Sequence, residues 1–311
     1  MVRVRYMFYP QRPRARQPRD DIGKFRNERG RGASVQHQEG TLEGAAGHSV
    51  YYQYWLPGQE ARAVILLAHG AGEHSGRYAA VAEQFCANAY AVAALDHIGH
   101  GRSDGDYGHM ASFDDHLETL ERFRQQVAAR FPGLPMILIG HSMGGLISSC
   151  FLLRHQQQFA GCALSGPAIK SDLEPGFLQL ALIRLLSRIA PRLGVLQLDA
   201  TGVSRDPAVV KAYVEDPLVN HGKMSAGFVA GLFTAMNEIQ QRAGEISLPL
   251  LIMHGEQDSM ASPAGAEFLF DAVSSADKQL KLYPHLYHEI LNEPEREQVM
   301  ADLLAWCEQR L

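Results

Sequence analysis

Short, wholly apolar runs alternate with longer amphipathic stretches along most of this chain. Ala63–Ala68 reads AVILLA, and Ala91–Leu95, Met136–Ile139, Cys162–Leu164 and Leu250–Met253 are runs of the same kind. His48–Trp55 (HSVYYQYW), aromatic and β-branched, predicts an early strand. Runs without a polar face suit central strands of a parallel sheet covered by helices on both sides. Helical periodicity fills the gaps at Tyr78–Asn88, Phe113–Phe131, Leu146–His155, Pro263–Val273 and Pro294–Gln309. This βαβα order predicts an α/β fold with a doubly wound, mostly parallel sheet. One segment, about 167–246, breaks the rhythm. It is mainly helical, with Phe177–Ile189 (FLQLALIRLLSRI) carrying a wide apolar stripe and Arg184 and Arg188 on its polar side. Met224–Arg242 has helical periodicity too. The segment is expected to be an inserted cap over the C-terminal edge of the sheet. Its apolar face suits a pocket lining, a packing surface against the body or contact with a lipid surface.

Composition changes this picture at two points. The 46% of hydrophobic and 20% of charged residues are ordinary for a globular domain, and no apolar run reaches transmembrane length. Cys86, Cys150, Cys162 and Cys307 lack disulfide or metal spacing, which points to reduced thiols in a cytoplasmic protein. Charge is divided unevenly. Residues 1–35 hold nine Arg and Lys24 against Asp20, Asp21 and Glu28, a charge of +7, so a chain totalling −5 leaves −12 for the remainder. That acidic body argues against a nucleic-acid partner. The basic stretch has no hydrophobic centre of a secretory signal and reads as a disordered tail. The folded domain is then expected at 36–311.

The strongest chemical signal is Gly140-His141-Ser142-Met143-Gly144, directly after the run MILI and before a helical stretch. That strand–turn–helix setting is the one a nucleophile elbow requires, with glycines removing side chains from a tight turn and Ser142 left at its tip. A helix starting near Met143 would aim backbone N–H groups at a developing oxyanion. His69-Gly70-Ala71-Gly72 follows the AVILLA run, where a second oxyanion donor belongs, here the N–H of Ala71 beside that of Met143. The acid and base of such a site follow the serine in that order. Asp258 comes after the strand LPLLIM, and His288 lies between the strand KQLKLY and the last helix, with His285 as its nearest competitor. These residues predict acyl transfer on an α/β-hydrolase scaffold, chemistry that needs no metal or organic cofactor. His97 and His100 lack the neighbours of a metal set.

Together these motifs resemble the monoacylglycerol lipases and the related lysophospholipase-like α/β-hydrolases. The matching stretches are HGAGEHSGRY (His69–Tyr78), DHIGHGRS (Asp96–Ser103), GHSMGG (Gly140–Gly145), His254–Asp258 and Tyr287–His288, within roughly 38–311. The resemblance implies about eight strands with a helical cap. It implies a small amphipathic lipid ester as substrate, most simply a monoacylglycerol. It also places Glu73 and Arg77 beside the oxyanion loop, as head-group contacts or as a structural ion pair, while the apolar face of the cap suits a peripheral membrane contact. A lysophospholipase or a short-chain carboxylesterase is the alternative, and a silent lipid-binding protein the remote one. Scaffold alone does not choose among them, because substrate preference resides in the pocket.

Overall fold

The computed structural model describes residues 34–171 and 177–311, with 177–180 by backbone alone. The Arg-rich stretch lies outside the described residues but for its last two positions. β1 (Gln36–Glu43) and β2 (Ser49–Leu56) come first. Then follow β3 (Ala63–Ala68), α1 (Ala79–Ala87), β4 (Tyr90–Leu95), α2 (Phe113–Arg130), β5 (Met136–His141), α3 (Met143–His155) and β6 (Gly161–Ser165). The chain next runs through α4 (Phe177–Ile189), β7 (Gly194–Leu196), α5 (Pro207–Glu215), β8 (Met224–Ser225) and α6 (Ala226–Arg242). It ends with β9 (Leu250–Gly255), α7 (Pro263–Ala272), β10 (Lys278–Tyr283) and α8 (Arg296–Glu308). Eight strands form one sheet in the order β1-β2-β4-β3-β5-β6-β9-β10, while β7 and β8 make a separate ribbon. β1–β2 and β2–β4 are antiparallel, and every other neighbouring pair of the large sheet is parallel.

The apolar runs are two interleaved faces. On β3, Val64 and Leu66 belong to one core, and Ala63, Ile65 and Leu67 to the other. Leu120 and Phe123 of α2, Ile147 and Phe151 of α3 and Leu269 of α7 cover the first. Phe85 of α1 with Val299, Leu303 and Trp306 of α8 covers the second. At about 1.5–3 kcal/mol for each large aliphatic side chain fully buried, these central strands dominate stability. Strands that lie parallel also end together, so the loops after β3, β5, β9 and β10 gather on one edge, where ligands of such sheets bind.

Three elements depart from the sequence pattern. β1 (QHQEGTLE) is polar and largely exposed, and exists because its backbone pairs along all of β2, Gln36 opposite Leu56 through Glu43 opposite Ser49. α3 begins at Met143, where the turn around Ser142 puts it, although its apolar period starts only at Leu146 because the buried Gly144 and Gly145 interrupt it. α5 was hidden by its mixed composition; Asp206 caps it by accepting the Ala208 N–H, and Pro207 opens its first turn. Among the described residues no helix is long and apolar enough to cross a membrane.

Candidate active site

Ser142 occupies the single residue between β5 and α3, at φ 53° and ψ −119°. An L-residue pays for that conformation, so the surroundings must impose it. Its N–H donates to Ser165 O at 3.0 Å, and its carbonyl accepts from Leu146 and Ala168, each at 3.1 Å. Crowding explains the glycines: a Cβ on Gly140 would stand 2.4 Å from Ser148 Oγ, and one on Gly144 2.1 Å from Ala68 O. Ser142 thus sits at the N-cap of α3, where the first helical N–H groups have no partner within the helix.

The loop after β3 is fixed at both backbone groups of Gly70. The Gly70 N–H donates to Glu73 Oε1 at 2.6 Å, and Gly70 O bonds His69 Nδ1 at 2.8 Å. His69 Nε2 accepts the His97 N–H at 2.9 Å, so a neutral ring must carry its proton on Nδ1 and donate it to Gly70. Burial keeps His69 below the usual histidine pKa. Beneath it lie His97, His100 and His116, all buried, with burial pushing His100 down to about 4 and His116 to about 3. These imidazoles are neutral packing rings. Gly72 O accepts from Asn220 N–H at 2.7 Å, tying the loop to the segment between β6 and β9.

Asp258 and His288 meet at 2.6 Å through Oδ2 and Nδ1, both buried. The other oxygen of Asp258 accepts the N–H groups of Met260 at 2.8 Å and Ala261 at 3.0 Å. His254 Nε2 lies 3.0 Å from Oδ2. Burial opposes the charge of Asp258, yet His288 first and then His254 hold the carboxyl far below its ordinary range. His288 moves the other way. Burial disfavours its charge, but Asp258 first, then Glu289 and Glu73, raise its pKa above the usual value. His285, by contrast, is exposed on the preceding turn.

Ser142, His288, Ala71, Met143 and Glu73 all line one cavity of about 100 Å³. Its apolar side comes from Leu196, Leu198, Val229, Leu232, Phe233 and Met236, between β6 and β9. Asp258 stands behind His288, away from that wall. Arg77 is also absent from the wall; its guanidinium bonds Glu73 at 2.7 Å and Glu289 at 2.6 and 2.7 Å. Glu73 further accepts the Tyr78 hydroxyl at 2.7 Å, and although burial opposes its charge, Arg77 leads the groups that hold it down to about 2. Sequence reading passed over Glu289, Tyr213 and His141, which share the same wall. His141 packs its ring 4.7 Å from that of His288, and burial followed by His288 lowers it to about 4. Glu289 had a signal, its place directly after His288; Tyr213 lies in the unrecognised α5 and had none.

An eight-stranded sheet of this order, with a serine on the turn after β5, defines the α/β-hydrolase class. The profile described as serine aminopeptidase, S33, matches residues 59–295, and the chain belongs to that family of hydrolases. It is 40% identical over 273 residues to a monoacylglycerol lipase of Mycolicibacterium smegmatis, covering 88% of this chain and 98% of that protein. The human monoglyceride lipase is 32% identical, over 86% of this chain and 90% of its own. The crystal structure of the Paleococcus ferrophilus monoacylglycerol lipase superposes with a TM-score of 0.76 at 28% identity, covering 89% of this chain and all of that one.

Proposed function

We propose that this chain is a serine esterase that cleaves monoacylglycerols to fatty acid and glycerol through an acyl-enzyme on Ser142. The observation that carries the reading is the shared cavity: Ser142, His288, Ala71 and Met143 line it together, with Asp258 2.6 Å behind His288. The similarity to monoacylglycerol lipases over nearly the full length of the matched proteins supports the substrate class.

In this reading His288 accepts the Ser142 hydroxyl proton as Oγ bonds the ester carbonyl carbon. Asp258 fixes the ring with Nδ1–H toward itself and stabilises the imidazolium. The N–H groups of Ala71 and Met143 hold the oxyanion, a contribution of about 10²–10³ in rate for one donor. Collapse breaks the bond to glycerol, which leaves with the proton from His288. Water, activated by the same imidazole, then releases the fatty acid.

The acyl chain lies along Val229, Leu232, Phe233 and Met236, and the glycerol faces Glu73. Arg77 serves the head group indirectly, by holding Glu73. The segment 167–246 acts as the cap. A cavity of about 100 Å³ is smaller than the ~300–1,000 Å³ of typical ligand pockets, so the cap side yields when a long chain enters. Leu182, Leu185 and Ile189 are exposed along one stripe of α4, with Leu193 just beyond, and this stripe touches the lipid surface from which substrate arrives. These acyl-transfer steps need no metal or organic cofactor.

A substrate panel tests the assignment: kcat/KM for a medium-chain monoacylglycerol, the matching lysophosphatidylcholine, a triacylglycerol and a short p-nitrophenyl ester. The expected result is a preference for the monoacylglycerol of at least about tenfold, the size of a 1.4 kcal/mol difference. Preference for the lysophospholipid or the short ester would overturn the substrate and leave the serine chemistry standing.

A further inference from the structure

One guanidinium stands where three parts of the site meet. Arg77 bonds Glu73 from α1's preceding loop and, through both terminal nitrogens, Glu289 in the loop after β10. Glu73 continues to the Gly70 N–H at 2.6 Å, and Glu289 is covalently next to His288. Asn292 Nδ2 donates to Glu289 Oε2 at 2.9 Å, and the Glu289 N–H donates to Val203 O at 2.8 Å. Tyr213 of α5 lies over the guanidinium, 4.8 Å from its ring centre. The side chains of Arg77, Glu73 and Glu289 are 11%, 4% and 6% exposed, so these charges act at low local dielectric, where geometry and sign both matter.

Charge pairing alone does not account for this set. A buried guanidinium is balanced by one carboxylate, and each further buried charge carries a desolvation cost that pairing only partly offsets. Glu289 is that further charge. It leaves the group with one net negative charge beside His288, and it joins two loops 212 residues apart in sequence.

We infer that Arg77, held between Glu73 and Glu289, forms with them a positioning clamp that fixes the Gly70–Ala71 loop relative to His288, and that the net negative charge of the three favours the His288 imidazolium during acyl transfer. The inference rests on the reading of Ser142 and His288 as nucleophile and base. Arg77 and Glu289 act through Glu73 and His288, so both are positioning residues. The groups facing His288 are Asp258, with His254 behind it, His141 from β5, Glu73 with Arg77 and Tyr78 behind it, Tyr213 from α5, and Glu289; Lys170 lies on the same cavity wall. Asp258, Glu289 and Glu73 favour the charged ring, and burial opposes it.

The sign of each charge gives the test. Glu289→Gln, Arg77→Gln and Arg77→Lys are compared with wild type after titration with a fluorophosphonate, which counts competent sites whatever fraction folds. Glu289→Gln removes a negative charge, so the acid limb of kcat/KM moves to lower pH by about half a unit to one unit. Arg77→Gln removes a positive charge and moves the limb to higher pH. Arg77→Lys keeps the charge but loses the bidentate grip, so the limb stays while kcat per competent site falls about tenfold or more with KM little changed. Limbs that do not move in the two Gln variants, or move the same way, overturn the clamp; so does a loss accounted for by fewer competent sites. A wild-type protein that takes no label would instead overturn the reading of Ser142 beneath it.

Discussion

Replacing Ser142 with alanine is expected to lower kcat for a monoacylglycerol by on the order of 10⁶-fold while the protein still folds. The size follows from the nucleophile's place in the mechanism: without Oγ there is no acyl-enzyme, and His288 has no partner whose proton it can take. A residual ~10³–10⁴ over the uncatalysed reaction comes from the oxyanion N–H groups and from binding. The fold survives because what holds the elbow is backbone: Ser142 N–H to Ser165, and Ser142 O to Leu146 and Ala168. Alanine keeps all three. Steady-state kinetics on purified protein, with thermal unfolding as the folding check, decides it. Undiminished turnover would remove Ser142 from the chemistry.

His288→Ala is expected to cost about as much as Ser142→Ala, since nucleophile and base act as one unit and their losses do not add. His285→Ala should leave kcat near wild type, because that ring is exposed on the turn before the site. The same assignment sets a pH profile. The base must be neutral to accept a proton, and Asp258, Glu289 and Glu73 together outweigh burial and raise its pKa. The acid limb of kcat/KM therefore lies above the ~6.5 of an ordinary histidine. Comparing the two alanine variants at a pH above that limb is the check. A larger loss at His285 would identify a different base.

Legibility followed the range of the physics. The central strands were readable from their own residues, because a strand apolar on both faces has one plausible setting, the middle of a covered sheet. The turn around Ser142 was readable too, since Gly140 and Gly144 answer contacts made within a few residues or with the adjoining β3. β1 was not readable: QHQEGTLE has no apolar period, and its strand character comes from pairing with β2. The roles of Glu73 and Arg77 stayed open for a similar reason. Spacing puts both next to the oxyanion loop, but Arg77 joins Glu73 to Glu289, 212 residues on from Arg77, and no local pattern encodes that partner. Tyr213 and the apolar lining belong to the segment between β6 and β9. There the residue types answer to a pocket shape that exists only once the chain is folded.

The most direct test of the central claim maps the site of covalent modification in protein inactivated by a fluorophosphonate while monoacylglycerol turnover is followed. The account predicts that activity falls in proportion to label, that one equivalent is bound, and that it sits on the peptide carrying Ser142. Label on another residue, or full turnover by protein labelled at Ser142, would contradict it.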